Sequence, residues 1–275
     1  MRSRGGRRDV TPKPRQAVGP GRPYYLRLTG AFALRCGDEP IPLPISSQRL
    51  VAYLALSDGP TQRSHVAGTF WPDVGQDRAM ANLRSVIWRV RGSGHDLIAG
   101  DDGQLSLHRN VVVDARELRR AAYGILESGD GGDPTGLDAL VRGDEILPDW
   151  SDEWVLVDRE RYHQLRLHAL ERLCSQLAAT GRFGLAVEAC LAALAAEPLR
   201  ESVQRQLIEV YLSEGNRADA LRQFASYQRV IREEVGVEPS REIADLVSLL
   251  TVARAPGTDP GREPTNRPSA LVKRR

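Results

Sequence analysis

The stretch QDRAMANLRSVIWRVR, residues 76–91, decides the fold of the N-terminal part of the chain. When successive residues are placed about 100° apart around a helix, the apolar side chains gather on one stripe. Opposite them lie Arg78, Asn82, Ser85 and Arg89, and toward the flank lie Arg84, Trp88 and Arg91. The stripe consists of Ala79, Met80, Leu83, Val86, Ile87 and Val90. The pattern predicts an amphipathic helix from Asp77 to about Arg91, with one buried side and one side facing solvent.

The segments on either side complete a larger unit. A second helical pattern covers residues 62–71, and WPDVG at residues 71–75 separates it from the first, which is the spacing of a helix-turn-helix. Two short apolar segments, residues 97–98 and 105–107, flank an Asp-Gly turn and predict a hairpin. Period-two alternation over residues 24–36 predicts a strand pair before a helix that carries Leu50 and Leu54. This order of elements is that of a winged helix with an N-terminal sheet.

The second half of the chain is helical and contains an internal repeat. The pairs Leu177 and Tyr211, Gly181 and Gly215, and Ala186 and Ala220 each stand 34 residues apart, which is the tetratricopeptide period. The motif Glu-Pro-x-Arg-Glu at residues 197–201 recurs 41 residues later at 238–242, so the second repeat is seven residues longer. Asp114 and Glu117 have the spacing of a capping box and predict the start of the first helix of this part.

The predicted fold class is therefore mainly α with small β, an N-terminal winged helix-turn-helix followed by an all-α tetratricopeptide-like helical repeat domain. We place the winged-helix domain at residues 23–113 and the helical domain at 114–252. Residues 1–22 and 253–275 are rich in Pro, Gly and Arg without periodicity, so we expect disordered tails. A further linker is expected at residues 128–136, SGDGGDPTG.

Charge and composition narrow the range of functions. The formal net charge of +2 conceals +6 over residues 1–22, zero over 23–115, −8 over 116–252 and +4 over 253–275. Basic tails around a neutral and then an acidic body are compatible with nucleic-acid binding, although solvated tails explain them as well. An uninterrupted apolar run of membrane-spanning length does not occur, so we expect a cytoplasmic, nucleoid-associated protein without a membrane partner.

The sequence gives no sign of an enzyme. It contains no phosphate-binding loop, dinucleotide turn, zinc-protease pair or nucleophile elbow, so we predict no catalytic residue, no cofactor and no metal. Cys36, Cys174 and Cys190 have no metal-ligand spacing and are expected to be small buried groups, not a disulfide. The carboxylates between Asp144 and Glu153 could be read as a catalytic pair, but helix starts and solvated faces account for them more simply.

The polar face of the helix at residues 77–91 carries the side-chain types that read DNA. Arginine pairs with guanine, asparagine pairs with adenine, and serine and backbone groups contact phosphates. A solvated arginine face is the alternative for such a helix alone, but its position directly before a hairpin favours recognition. For Trp88 the favoured alternative to DNA contact is packing on the hairpin or the sheet. The candidate DNA-binding residues are Arg63, expected at a phosphate, with Arg78, Asn82, Arg84, Ser85, Trp88, Arg89, Arg91, Gln104, His108 and Arg109.

These motifs give the chain a family resemblance. In the first half they are FWPD at residues 70–73, ANLRS at 81–85, WR at 88–89 and VD at 113–114. In the second half they are Trp150, EW at 153–154, ER at 160–161, LRL at 165–167, ALE at 169–171, GR at 181–182, PLRE at 198–201, AL at 220–221 and EVGVEPS at 234–240. With these motifs, residues 24–252 resemble the antibiotic-regulatory proteins of actinomycetes (the SARP type), in which an OmpR-like winged helix precedes a bacterial transcriptional activation domain.

The resemblance implies a function that the motifs alone do not. It implies sequence-specific binding to double-stranded promoter repeats as a homodimer or side-by-side pair, contact with RNA polymerase, and activation of a biosynthetic gene cluster. Two departures bear on DNA binding: the predicted wing is acidic at Asp101 and Asp102, and residues 23–115 are formally neutral. They keep open an alternative, a protein-interaction module with a degenerate winged helix and little intrinsic DNA specificity.

Overall fold

The computed structural model describes residues 23–101, 103–127 and 137–252. Both predicted tails, Asp102 and the predicted linker lie outside the described residues. The chain divides between Pro198 and Leu199 into two compact units. The predicted domain boundary between residues 113 and 114 falls inside the first unit and stays a prediction.

The first unit contains most of the predicted elements. They are β1 (Tyr24–Arg27), β2 (Ala33–Cys36), β3 (Glu39–Pro40), α1 (Ile45–Leu56), β4 (Thr61–Gln62), α2 (Arg63–Phe70), α3 (Gln76–Gly92), β5 (Ile98–Ala99), β6 (Gln104–Leu107), β7 (Val111–Val113), α4 (Asp114–Glu127), α5 (Leu137–Val141), α6 (Glu153–Ala179) and α7 (Phe183–Ala196). The second unit contains α8 (Glu201–Glu214), α9 (Arg217–Glu234) and α10 (Arg241–Val252). The predicted fold class, mainly helical with small sheets, is confirmed.

Two small sheets frame the helix-turn-helix. The N-terminal sheet has the order β3-β2-β1-β7, with β1 and β2 antiparallel as the alternation predicts. The predicted hairpin forms from β5 and β6, where Ile98 pairs with Leu107, and β4 joins its other edge. After the hairpin the chain returns, and β7 pairs in parallel with β1, so the first and last strands of the winged helix are neighbours.

A carboxylate fastens the start of α4 to the end of β1. The Asp114 side chain accepts hydrogen bonds from the backbone N–H groups of Leu28 at 2.8 Å, Thr29 at 3.0 Å and Ala115 at 2.7 Å. It also accepts one from the Thr29 hydroxyl at 2.5 Å. The helix begins where the capping-box spacing predicts, but Asp114 joins two elements that stand more than 80 residues apart.

The segment of residues 145–150, which precedes α6, extends the junction between β1 and α4. The Leu147 N–H donates to the Leu28 carbonyl at 2.9 Å, and the Gly30 N–H donates to the Glu145 carbonyl at 2.7 Å. Leu147 is fully buried and has a φ of 43°, a left-handed conformation that a branched side chain rarely adopts. Because the surrounding contacts hold an unfavourable backbone, this segment is a fixed part of the first unit.

Arg159 of α6 holds the segment from the other side. Its guanidinium donates to the carbonyls of Ile146 at 2.8 Å and Trp150 at 2.9 Å, and also to that of Leu147, and it lies 3.2 Å from a Glu145 carboxylate oxygen. Because one planar guanidinium binds three backbone carbonyls, it fixes the path of the chain between α5 and α6.

We expect Arg159→Met to lower the free energy of unfolding of the full chain by about 2 kcal/mol, because several charge-assisted hydrogen bonds are lost together. Arg161→Met is the matched control: Arg161 lies on the same helix, its side chain is 76% exposed, and its ion-pair distance to Asp158 is 3.7 Å. The control should cost at most about 0.5 kcal/mol. Equal losses in urea titrations of the two variants would show that Arg159 does not fix the segment.

The N-terminal end of α6 belongs to the core of the winged helix. Trp154 stacks on Phe70 of α2 with ring centroids 6.0 Å apart and meets Tyr53 of α1 edge-on at 5.2 Å. Val155 and Tyr162 are buried in the same cluster, and burial raises the pKa of Tyr162 to about 12. Because α6 has 27 residues, or about 40 Å at 1.5 Å per residue, it extends from this core into the helical part.

The helices of the repeat occur as pairs, each with a glycine at its turn. Gly181 follows α6 with a φ of 74°, and Gly215 follows α8 with a φ of 88°, the left-handed conformation that ends many helices. Ala186 and Ala220 are fully buried at the corresponding positions, which the 34-residue period predicts. The longer second repeat is explained by α9, which has 18 residues where α7 has 14, and by a longer connection after it.

In the second unit the repeated motif forms a contact of its own. The Glu201 carboxylate accepts hydrogen bonds from the Tyr227 hydroxyl at 2.8 Å and from the Ser240 N–H at 3.2 Å. Burial alone would raise the pKa of Glu201, but these hydrogen bonds outweigh it and hold the pKa below its ordinary value.

The described helices were also compared with the length and hydropathy that a membrane span requires. None of them is both long enough and apolar enough to cross a bilayer.

Candidate DNA-binding interface

The helix α3 has the two faces that its sequence predicts. Ala79, Leu83, Val86, Ile87 and Val90 are buried, and Met80 is half-buried against the same core. Of the candidate residues on the helix, Asn82 is half-buried and the others are exposed: Arg78, Arg84, Ser85, Trp88, Arg89 and Arg91. Gln76, Asp77 and Ala81 are exposed as well. The helix therefore presents cationic and polar side chains over a length of about four turns.

Trp88 differs from the expectation that it packs on the hairpin or the sheet. Its exposed fraction is 75%, the largest among the exposed large hydrophobic residues of the described part. The packing expectation is wrong because Trp88 lies well away from the apolar stripe, on the flank that carries Arg84. An indole this exposed stabilises the fold little and is available to a partner.

Two polar side chains of α3 already have hydrogen-bond partners. The Arg89 guanidinium donates to the Ser46 hydroxyl at 3.0 Å, near the start of α1. The Ser85 hydroxyl donates to the Ala81 carbonyl one turn earlier at 3.1 Å, a common arrangement for serine in a helix. The contact with Ser46 orients Arg89, and the oxygen of Ser85 keeps its capacity to accept a hydrogen bond.

The turn of the hairpin lies next to the start of α2. The Arg63 N–H donates to the Gly103 carbonyl at 3.0 Å, and β4 pairs with β6, so that Gln62 faces Gln104. The N–H groups of Gly103 and Gln104 donate to the Asp101 carboxylate at 3.0 and 3.2 Å, and these bonds lower the pKa of Asp101. The nearby Arg63 charge acts in the same direction.

The acidic residue in the wing thus has a local structural role. Asp101 holds the turn by accepting main-chain hydrogen bonds, as aspartate often does in tight turns. It also attracts Arg63, the residue expected to reach a phosphate. Arg63, Asp101 and Gln104 therefore form one cluster at the tip of the hairpin.

The two remaining wing candidates lie elsewhere. His108 and Arg109 follow the far end of β6, about 13 Å along the strand from Gln104 at roughly 3.3 Å per residue. His108 is half-buried and its Nδ1 accepts a hydrogen bond from the Asn110 N–H at 3.3 Å, whereas Arg109 is exposed. The structure does not bring these two residues to the tip where Arg63 and Gln104 lie.

Two of the carboxylates between α5 and α6 are engaged in ion pairs. Asp152 pairs with Arg49, and Glu145 lies 3.2 Å from Arg159. An open groove of about 1390 Å³ reaches Asp152 and Glu153 but is lined by further charged pairs, such as Asp58 with Arg119 at 2.9 Å. This arrangement stabilises the fold and gives no support to the enzymatic alternative.

A winged helix-turn-helix joined to paired helices with a 34-residue period defines the class of the protein: a winged-helix protein with a tetratricopeptide-like part. Residues 139–250 match the family described as bacterial transcriptional activator domain. Together with the relatives below, this match confirms the predicted resemblance to the SARP-type regulators.

The relatives and the structural neighbour are consistent with this assignment. Two relatives are both named Regulatory protein AfsR. The one from Streptomyces griseus is 26% identical over an alignment of 283 positions, which covers 94% of this chain and 28% of the relative. The one from Streptomyces coelicolor is 27% identical over 215 positions, which covers 74% of this chain and 22% of the relative. The chain spans about a quarter of the length of these curated relatives.

A solved structure shares the fold. It is that of Mycobacterium tuberculosis EmbR in complex with a low-affinity phosphopeptide, with a TM-score of 0.65 and 17% sequence identity. The match covers 85% of this chain and 66% of that chain. At this identity the likeness concerns the fold.

Sequence analysis missed one pair of residues that the structure brings together. Cys174 of α6 and Cys190 of α7 are expected as separate buried groups, yet their Sγ atoms lie 2.7 Å apart. The turn between their helices provides a signal in the sequence, because the two cysteines are symmetric about it.

Proposed function

We propose that the chain is a DNA-binding transcriptional regulator that reads promoter repeats through α3. The observation that carries the proposal is the part of α3 outside its buried stripe, where six of the seven candidate side chains are exposed. An α-helix fits the major groove, where arginine and asparagine distinguish base pairs by paired hydrogen bonds worth about 1 to 3 kcal/mol each. Arg78, Asn82 and Arg89 are the proposed base readers, and Arg84, Ser85 and Arg91 are proposed to contact bases or phosphates.

Trp88 is proposed to support binding at the edge of this surface. Its indole lies beside Arg84 and can contact a thymine methyl group or a sugar without a desolvation cost in polar groups. Arg63 and Gln104 at the hairpin tip are proposed to meet the backbone next to the groove. His108 and Arg109 stay candidates for a contact at the other end of β6.

Electrostatics sets the strength expected of this interaction. Residues 23–115 carry no formal net charge, so counterion release has to come from the local arginine cluster on α3 and from the basic residues 1–22. We therefore expect a steep loss of affinity with added salt in the full chain and a shallower one without the tail. The affinity of a single chain is expected to be modest, which favours binding as a homodimer or side-by-side pair at repeated sites.

By its resemblance to the SARP-type regulators, the chain is proposed to activate transcription of a biosynthetic gene cluster, in the cytoplasm and on the nucleoid. The helical part is proposed to contact RNA polymerase or to self-associate. The family match over residues 139–250 supports a role in activation.

The second candidate is a protein-interaction module that has little intrinsic DNA specificity. Two observations favour it: the acidic Asp101 lies near Arg63 at the hairpin tip, and residues 116–252 carry a formal charge of −8, which suits a basic partner.

Binding of the full chain, and of a chain starting at Pro23, to fluorescent duplexes tiled across the DNA around its own gene tests the proposal. Each titration is repeated at several salt concentrations. Selective binding to one tile that survives removal of the tail supports a winged-helix reader and locates its operator. Weak binding to all tiles that disappears with the tail would favour the interaction module.

A further inference from the structure

Two cysteine thiols, one on α6 and one on α7, have no role in the proposed function. The Sγ atoms of Cys174 and Cys190 lie 2.7 Å apart, and each residue is only 1% exposed. Both carry thiols, as does Cys36, which is buried in the N-terminal sheet. Sulfur atoms at this separation are within direct contact of each other.

The fold explains why these two residues meet. The chain reverses at Gly181, where the Arg182 N–H donates to the Leu177 carbonyl at 2.9 Å and the Gly181 N–H donates to the Ala178 carbonyl at 3.0 Å. In an antiparallel helix pair, residues at equal distances from the turn face each other. Cys174 and Cys190 are each eight residues from Arg182.

We propose that Cys174 and Cys190 form an oxidation site whose product is an intrachain disulfide between α6 and α7. Hydrogen peroxide is the proposed oxidant. One thiolate attacks a peroxide oxygen, so an S–O bond forms, the O–O bond breaks, and hydroxide leaves as water after taking a proton. The second thiolate then attacks the sulfenic sulfur, an S–S bond forms, the S–O bond breaks, and a second water leaves. Two thiols are oxidised and one peroxide is reduced to two waters.

Burial controls the rate and the selectivity of this step. A buried thiol reacts slowly, since the oxidant needs a transient opening of the helix pair. Once a sulfenic acid forms, however, its partner thiol is already within contact distance, so ring closure precedes further oxidation. Cys36 has no second cysteine among its contacts in the described part of the chain and offers a built-in comparison.

The disulfide has a definite mechanical consequence. It closes a short loop around Gly181 and so restricts the unfolded chain. Because the other end of α6 is buried in the winged-helix core through Val155 and Tyr162, the bond ties α7 to a helix that already belongs to that core. The oxidised chain should therefore resist unfolding more than the reduced chain.

Thiol counting on the full chain tests the proposal. The reduced protein is treated with hydrogen peroxide, denatured, and labelled with a maleimide polymer that retards each labelled chain on a gel. We expect the three labels of the reduced wild type to fall to one and to return with dithiothreitol. Cys36→Ser should fall from two labels to none, whereas Cys174→Ala and Cys190→Ala should keep both of their labels.

A second measurement links the bond to stability. Urea titrations of reduced and oxidised protein should show a higher unfolding midpoint after oxidation in the wild type and in Cys36→Ser. Cys174→Ala should show no shift. Three retained labels in oxidised wild type, or a bond that mass spectrometry assigns to Cys36, would overturn the site; an unchanged midpoint with the bond formed would overturn its effect on the helix pair. Neither measurement involves DNA, so the outcome is independent of the proposed function.

Discussion

A full chain carrying Arg78→Gln, Asn82→Ala and Arg89→Gln is expected to lose its preference for the operator over a random duplex. If each proposed base contact is worth about 1 to 3 kcal/mol, three together supply at least about 3 kcal/mol, or roughly a hundredfold in the specificity ratio. The measurement compares dissociation constants for the operator tile and a shuffled duplex at fixed salt. Residual binding should become equal for the two sequences and should still fall with salt, because phosphate contacts remain.

Two controls separate base reading from charge and from folding. Arg120→Gln with Arg142→Gln removes the same two positive charges from α4 and α5, where both side chains are about three quarters exposed, and should keep the preference. Ser46→Ala removes the hydrogen bond that orients Arg89 without touching α3, so a partial loss of preference is expected. Unchanged helicity of the triple variant by circular dichroism shows that α3 still folds.

Retained discrimination in the triple variant would contradict α3 as the reader. The preference would then have to come from another polar surface, such as the hairpin tip, whereas a wild-type chain without any preference would favour the interaction-module alternative. The two outcomes differ in kind, since one removes selectivity and the other leaves it intact.

The helix α3 was predictable because its signal is local. The spacing of Leu83, Val86 and Val90 identifies the buried side from the sequence alone, and the structure buries all three. The 34-residue period was equally predictable, because Gly181 and Gly215 perform the same backbone task at two turns. In both cases the spacing of residues along the chain is enough, and no contact with a distant element has to be known.

The features that sequence analysis missed depend on distant contacts. A helical projection separates Trp88 from the apolar stripe but does not say whether another element covers it, and none of the packed clusters includes it. The parallel pairing of β7 with β1 joins strands more than 80 residues apart. Leu147 adopts a positive φ only because contacts with Leu28 and Arg159 hold it, and no pattern in its own segment indicates that.

Asp101 shows another limit of prediction from the sequence. In the sequence, its negative charge appears only as a source of repulsion from DNA phosphates. In the structure, its carboxylate accepts hydrogen bonds from two main-chain N–H groups of the turn. The sign of a charge in the sequence does not tell which groups it serves. A neutral replacement would loosen the turn as well as change the charge of the wing.

Asp114→Ala is expected to lower the free energy of unfolding of the full chain by about 3 kcal/mol. The substitution removes an acceptor that serves four donors, and hydrogen bonds to a charged group contribute about 1.5 to 3 kcal/mol in context. The N–H groups of Leu28 and Thr29 would lose their acceptor at the point where β1 meets α4. Urea titration followed by circular dichroism measures the loss.

Two variants identify the cause of that loss. Glu117→Ala alters the other member of the predicted capping box, but the Glu117 side chain is 55% exposed and pairs with Arg120, so it should cost about 0.5 kcal/mol or less. Asp114→Asn keeps the shape but turns one acceptor into a donor that faces other donors, so its cost should approach that of alanine. If Glu117→Ala were as costly as Asp114→Ala, the capping box would be the main contribution. A large effect at Asp114 alone means that its carboxylate acts between β1 and α4, the junction through which the winged helix is joined to the helices that follow.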